Sequence, residues 1–272
     1  MTDESDPSTT RRLRYQGFAL RLEGDCQEDE ARGIIDRILE TPGDRVGVRV
    51  ERPGGGKAYV KAEFRRPDQP LGKRLRPGRA VSEGRGYRRF LQAGLHVPQI
   101  LLFGEQPRVM PRGCAIVVTE CVRGRNAHTR FLNDERSEWP LRAIAALATV
   151  HDAGFVHGDA ALRNFVPADD GSTWIIDLPR YAEWSRERVR KDLALLIGST
   201  TKQGGEESLG EQLFDAYATS CQRVADLGDA WRREATAEMD EYVAYLRERD
   251  RTRPERHAKR KKSLRPGPRT TD

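Results

Sequence analysis

Apolar residues recur along this chain with two different periods. In residues 45–51 (RVGVRVE) and 57–64 (KAYVKAEF), valine and alanine alternate with charged or polar residues, the period of two that predicts half-buried strands. Gly54 to Gly56 between them predict a hairpin turn. Residues 115–119 (AIVVT) predict another strand, and residues 13–22 (LRYQGFALRL) an added strand ahead of the others. Helical spacing governs 29–40, 81–93 with a stop near Gly94, and 141–155, where Ile144, Leu147, Val150 and Phe155 recur before a stop at Gly154. Amphipathic helices are also expected over 209–227 and 229–249, with Leu213, Phe214, Tyr217, Tyr242, Tyr245 and Leu246 as core. The helices of the second half, added to the strands of the first, fit an α+β protein.

Composition changes this picture mainly at the ends. The chain has 272 residues, enough to bury a sizeable core. Its net charge of +6 is unevenly spread: residues 251–272 hold nine Lys and Arg against two acids, while the rest hold 39 basic and 40 acidic residues. With Pro254, Pro266 and Pro268 and few apolar residues, that tail is expected to be disordered, and its charge suits anionic lipid head groups or nucleic-acid phosphates. It has no aromatic residue to stack on bases, so no specific nucleic acid is expected. The first ten residues are acidic and polar, unlike a secretory leader, and no apolar run of about eighteen residues exists. A cytoplasmic protein, or one peripheral on the inner face of the cytoplasmic membrane, is the expectation. Cys26, Cys114, Cys121 and Cys221 lack zinc-like spacing and are expected to stay reduced, with no structural metal.

The candidate chemistry centres on residues 155–165 (FVHGDAALRNF), where Asp159 and Asn164 stand five residues apart. Phosphoryl-transfer enzymes of the protein-kinase fold use this spacing: the aspartate meets a substrate hydroxyl and the asparagine a metal ion on the nucleotide phosphates. The apolar segment 173–177 (TWIID) reads as a strand delivering a second acid, Asp177. Helix, HxDxxxxN loop and strand ending in aspartate form a supersecondary context, which turns a motif match into an argument. Lys61, on a predicted strand about a hundred residues upstream, lies where the nucleotide-clamping lysine of kinases lies, with Glu83 on the 81–93 helix as its partner. Helical phase puts Glu83, Tyr87 and Phe90 on one face, although Gly84 and Gly86 weaken the helix. The hinge between lobes is expected at 118–125, where Glu120 marks the place for an adenine ring. His157 is expected to brace the loop, and Asp192 to tie the start of a helix to it.

YVKAEF, the Glu83 helix running into LQAGLHVPQILLFGE, AIVVTECV, HDAGFVHGDAALRNF, WIIDLPR and RKDLALLIGS together resemble the lipopolysaccharide core kinases, bacterial sugar kinases acting on heptose or Kdo of the inner core. The resemblance spans about residues 58–199. It implies a bilobal protein-kinase-like fold, with a small antiparallel-sheet lobe over 11–122 and a mainly helical lobe over 123–250. It also implies ATP and Mg²⁺ as cofactors, Asp159 as catalytic base, Asn164 and Asp177 as metal ligands, and Lys61 with Glu83 as phosphate clamp. The implied acceptor is the lipopolysaccharide core glycolipid, and because that acceptor is embedded in a membrane, the resemblance implies an anionic membrane surface as the partner of the basic tail.

Departures from the wider kinase pattern narrow the reading. Gly158 stands where protein kinases carry the arginine that pairs with a phosphorylated activation loop, and Asp177 is followed by Leu178 and Pro179 instead of Phe-Gly. Regulation by phosphorylation is therefore not expected. No GxGxxG string exists, and the phosphate-covering loop is placed at 41–47. Other readings stay open on the residues alone: another small-molecule or RIO-like kinase, a nucleotide-binding scaffold without turnover, or a nucleic-acid binder built on the tail.

Overall fold

The computed structural model describes residues 10–66, 68–70, 72, 75–110, 112–134, 138–202, 207–225 and 228–263. The expectations for residues 1–9, for 203–206 and for 264–272 lie outside these. The first lobe runs β1 (Arg11–Tyr15), β2 (Phe18–Leu22), α1 (Glu28–Glu40), β3 (Arg45–Glu51), β4 (Lys57–Phe64), α2 (Arg79–Gln92), β5 (Ile100–Glu105) and β6 (Cys114–Glu120). The second continues with α3 (Ala127–Asp134), α4 (Glu138–Asp152), β7 (Phe155–Val156), a 3-10 turn at Leu162–Asn164, β8 (Phe165–Pro167), β9 (Thr173–Ile175), β10 (Ala182–Glu183), α5 (Arg186–Lys202), α6 (Glu207–Ser220), α7 (Gln222–Ala225) and α8 (Gly228–Ser263).

Among the described residues, six antiparallel strands form one sheet in the order β1-β2-β5-β6-β4-β3. Alternation assigns its two faces. Val46, Val50, Val60, Ile116 and Val118 pack with Ile34, Ile35 and Ile38 of α1. Ala115, Val117 and Phe103 point the other way and join Val81, Tyr87 and Phe90 of α2, in a core continuous with the helical lobe. On β4, Ala58, Val60 and Ala62 are buried against the α1 side, so Tyr59, Lys61 and Glu63 face the second lobe. The period of two thus aims Lys61 at the space between the lobes.

Four sequence expectations change. Residues 13–22 are a hairpin, β1 paired with β2 through Gln16 and Gly17, and β2 joins the sheet beside β5. Gly84 and Gly86 do not weaken α2 so much as let it press close: a Cβ would lie 2.5 Å from the Phe103 ring at Gly84 and 2.9 Å from Leu178 O at Gly86. Finally, α8 runs on to Ser263, so residues 251–263 of the expected disordered tail are helical. Seven of these thirteen residues are Arg or Lys, good helix formers that outweigh the single Pro254, and Arg251 pairs with Glu248 one turn back at 2.8 Å. The expected core also shortens. Leu213, Phe214 and Tyr217 are buried, but Tyr245 is 54 % exposed, because α8 enters the core through Trp231, Ala235 and Met239.

The described cysteines are unpaired. Burial pushes the Cys26 and Cys114 thiols up to about 12 and Cys221 to about 11. Among the described residues, no helix is long and apolar enough to cross a membrane.

Candidate active site

Lys61 Nζ lies 2.6 Å from Glu83 Oε1 and 3.2 Å from Asp177 Oδ1, so β4, α2 and the segment after β9 meet at one ammonium. Tyr87 closes the circuit. Its hydroxyl donates to Glu83 Oε1 at 3.0 Å and accepts the Asp177 N–H at 2.9 Å. Burial works against charge on Lys61, but the Glu83 and Asp177 carboxylates outweigh it and hold the ammonium above its ordinary range. Burial raises the Glu83 carboxyl, opposed by Lys61. Burial and Glu83 hold the Tyr87 hydroxyl well above its ordinary value, so it keeps the proton it donates. Asp177 itself sits at φ +65°, the left-handed region that aspartate tolerates better than most residues.

Tyr87 is the member of this ring without a role in the sequence reading, although its spacing of four from Glu83 carried the signal. Tyr87→Phe leaves the Asp177 N–H without its acceptor in a buried setting. It is expected to cost about 1–3 kcal/mol in urea unfolding; an unchanged midpoint would show that water replaces the hydroxyl.

The loop carrying Asp159 is held from below. Asp192 of α5 is buried and accepts the backbone N–H of His157 at 2.7 Å and of Gly158 at 2.9 Å, with His151 Nε2 at 3.3 Å. His151 Nδ1 meets the Tyr217 hydroxyl at 2.7 Å. His157 donates from Nε2 to Ile176 O at 3.0 Å and accepts the Asp159 N–H at Nδ1 at 3.3 Å, which fixes one tautomer and links the loop to the Asp177 segment. Asn164 Nδ2 donates to Asp159 O at 2.8 Å, closing the turn across Leu162–Asn164. Gly158 has φ +76°, and a Cβ there would lie 2.2 Å from Arg180 O. No side chain fits at that position, and an arginine there would clash.

Burial keeps the His157 ring below its ordinary 6.5, against the opposing pull of Asp192. The unfolded chain takes up a proton below that value which the folded ring refuses, so the stability this ring supplies is complete above pH 6.5 and lost as pH falls below it. The denaturant midpoint is therefore expected to drop more between pH 7.5 and 5.5 in the parent protein than in His157→Asn. Equal drops would mean that the ring titrates normally.

These groups open on a cleft of about 440 Å³ between the lobes, lined by Lys61, Glu83, Asn164 and Asp177 at one end and by Val117, Val122 and Val166 elsewhere. Asp159 itself does not line this cleft; it lies beside it, bonded to Asn164 through its backbone carbonyl and facing Arg163, both of which do. Glu120 stands at the rim, half exposed, 3.9 Å from Arg52, and its N–H is bonded to Gln99 O. Thr41, Gly43 and Asp44 precede β3 at the sheet edge, and Arg45, Gly47, Tyr59 and Arg79 line a smaller depression that shares Lys61 and Asp177 with the cleft.

A strand lysine paired to a helix glutamate and to an aspartate beyond an HxDxxxxN loop, set between a sheet lobe and a helical lobe, defines a protein of the bilobal kinase-like class. Similarity to solved structures agrees. One is described as WaaP in complex with acyl carrier protein (TM-score 0.58, 22 % identity, 84 % of this chain and 98 % of that one). Another is an aminoglycoside-3'-phosphotransferase of type VIII (TM-score 0.52, 15 % identity, 80 % and 99 %). The sequence model of the lipopolysaccharide kinase (Kdo/WaaP) family matches residues 56–217, more than half of the chain, and the chain belongs to that family. A search of curated protein sequences found no match.

Proposed function

We propose that the protein transfers the γ-phosphoryl group of ATP to a hydroxyl of heptose or Kdo in the lipopolysaccharide inner core. The observation that carries this reading is the closed ring of Lys61, Glu83, Tyr87 and Asp177, held against the Asp159–Asn164 loop by His157. The cleft has the size of a ligand site. Its donor set also fits a magnesium nucleotide. The Asn164 amide nitrogen is spent on Asp159 O, which leaves its oxygen to bind, and Asp177 keeps a second carboxylate oxygen beyond the one on Lys61. When bound there, Mg²⁺ would neutralise charge on the phosphates.

Lys61, fixed by two carboxylates, orients the phosphates. Asp159 orients the sugar hydroxyl and takes its proton as the oxygen bonds to phosphorus; the bond from that phosphorus to the bridging oxygen breaks and ADP leaves. Glu120 and its neighbours in the hinge bound the place for the adenine. The basic tail supplies attraction to the anionic surface in which the acceptor glycolipid is embedded, placing the protein at the inner face of the cytoplasmic membrane.

The test incubates the protein with γ-labelled ATP, Mg²⁺ and dephosphorylated lipopolysaccharide, beside Asp159→Ala and Asp177→Ala. Label on the glycolipid that both variants lose is the expected result. Nucleotide binding without label on any core sugar would sink the glycolipid reading.

A further inference from the structure

Strand β3 is an edge of the sheet, and among the described residues no strand lies beyond it. Kinases cover the nucleotide phosphates with a glycine-rich loop, whose backbone comes close because no side chains intervene. This chain has no GxGxxG string, and the residues before β3 lead back to α1, which packs on the face of the sheet turned away from the cleft. What β3 itself presents to the cleft therefore decides how the phosphates are met from that side.

Alternation buries Val46 and Val50 of β3 toward α1. It turns Arg45, Gly47 and Arg49 the other way, beside Glu63, Lys61 and Tyr59, which stand directly opposite them on β4. Arg45 is engaged by Glu63 at 3.2 Å. At Gly47 the Tyr59 hydroxyl takes the space, since a Cβ there would lie 2.9 Å from Tyr59 Oη. Arg49 lines the cleft, is exposed, and makes no side-chain hydrogen bond or ion pair with the described residues. Arg52, just past the end of the strand, shows how a structural arginine is held: 10 % exposed and bonded to Glu30 at 2.8 Å.

The other charges lining the cleft leave a place for a cation. Glu83, Glu120 and Asp177 line it together with Lys61, whose ammonium is engaged by two of them, and the remaining arginine, Arg163, faces Asp159. Arg49 also stands at the right level. Its partner Tyr59 pairs with Thr119, next to the hinge, whereas Lys61 pairs with Val117, so Arg49 lies one cross-strand step, about 7 Å, nearer the hinge than the lysine. A nucleotide reaching from the hinge to Lys61 passes it with its first phosphates. Guanidinium forks bind such tetrahedral oxyanions with parallel N–H bonds.

We infer that Arg49 is a nucleotide-binding residue whose guanidinium takes the α- and β-phosphate oxygens from the open edge of the sheet, in place of a glycine-rich loop. This rests on the kinase reading of the cleft and adds a residue that the motif spacing did not single out.

Calorimetry with Mg²⁺ tests it, comparing adenosine, ADP and a non-hydrolysable ATP analogue on the full chain, Arg49→Gln, Arg49→Lys and Arg12→Gln. The last removes the same charge from β1, at the opposite edge of the sheet. Arg49→Gln is expected to bind ADP and the analogue at least about tenfold more weakly than the parent, with Arg49→Lys between, and to bind adenosine within about twofold, which also shows that it is folded. Arg12→Gln is expected to match the parent on every ligand. The inference is overturned if Arg49→Gln binds ADP as the parent does, if its deficit is as large for adenosine, or if Arg12→Gln shows the same loss. A parent that binds none of the three ligands would overturn the kinase reading and this role together. An Arg49-dependent nucleotide affinity without label on the glycolipid would leave the role standing and remove only the glycolipid acceptor.

Discussion

Asp159→Asn is expected to slow phosphoryl transfer about 10²- to 10⁴-fold, the range a positioned proton acceptor contributes, while nucleotide binding and folding stay close to those of the parent. The separation follows from where the bonds are. The residue's backbone carbonyl accepts Asn164 Nδ2 and its N–H reaches His157 Nδ1, so both structural bonds survive the change. The carboxylate contributes only the loose contact with Arg163, in a side chain 19 % exposed. Single-turnover transfer from labelled ATP measures the effect, with analogue affinity and thermal midpoint as controls. A variant that transfers phosphate at the parent rate would remove Asp159 from the chemistry. A parent that binds nucleotide and never turns it over would instead mark a scaffold.

Asp192→Ala carries the largest expected cost in stability, about 3–5 kcal/mol in chemical denaturation. Its carboxylate is 1 % exposed and serves the N–H groups of His157 and Gly158 together with His151. Removing it strands two backbone donors in the core, and the loop that displays Asp159 loses its anchor to α5. Asp192→Asn should cost less, about 1–3 kcal/mol. Its oxygen can keep one backbone donor, and its amide nitrogen can donate to His151 Nε2 if that ring changes tautomer, so one N–H is left without a partner. A loss below about 1 kcal/mol for the alanine variant would show that water enters and replaces the carboxylate.

The part of the fold legible in the sequence was the part governed by local period. Strands over 45–51 and 57–64 stand where alternation predicts them, and helices α1, α2 and α4 differ from their expected spans by a few residues. Short elements were not legible. Strands β7 and β10 have two residues each and exist only because they pair across residues 155–183. The helical end of α8 was not legible, because like charges and Pro254 point to disorder while the Arg and Lys side chains favour helix. In the site, spacing singled out Lys61, Glu83, Asn164 and Asp177, and the structure brings these to one cleft. It passed over Tyr87, since a buried aromatic on a helix face has the same pattern whether or not its hydroxyl bridges two acids.

By itself, then, the sequence determined what depends on neighbours along the chain: the α+β order of elements, the side of β4 on which Lys61 emerges, and the five-residue interval that lets Asn164 close on Asp159. Tertiary structure alone decided what depends on residues far apart. Lys61 meets Asp177 across 116 positions, and Asp192 reaches back across 35 to hold His157. These contacts form only when the sheet and the helical lobe share a core, through Tyr87, Phe90, Phe103 and Leu178. The physical reason is that side-chain period reports which face of an element is buried, whereas the partner on that face is set by how whole elements pack.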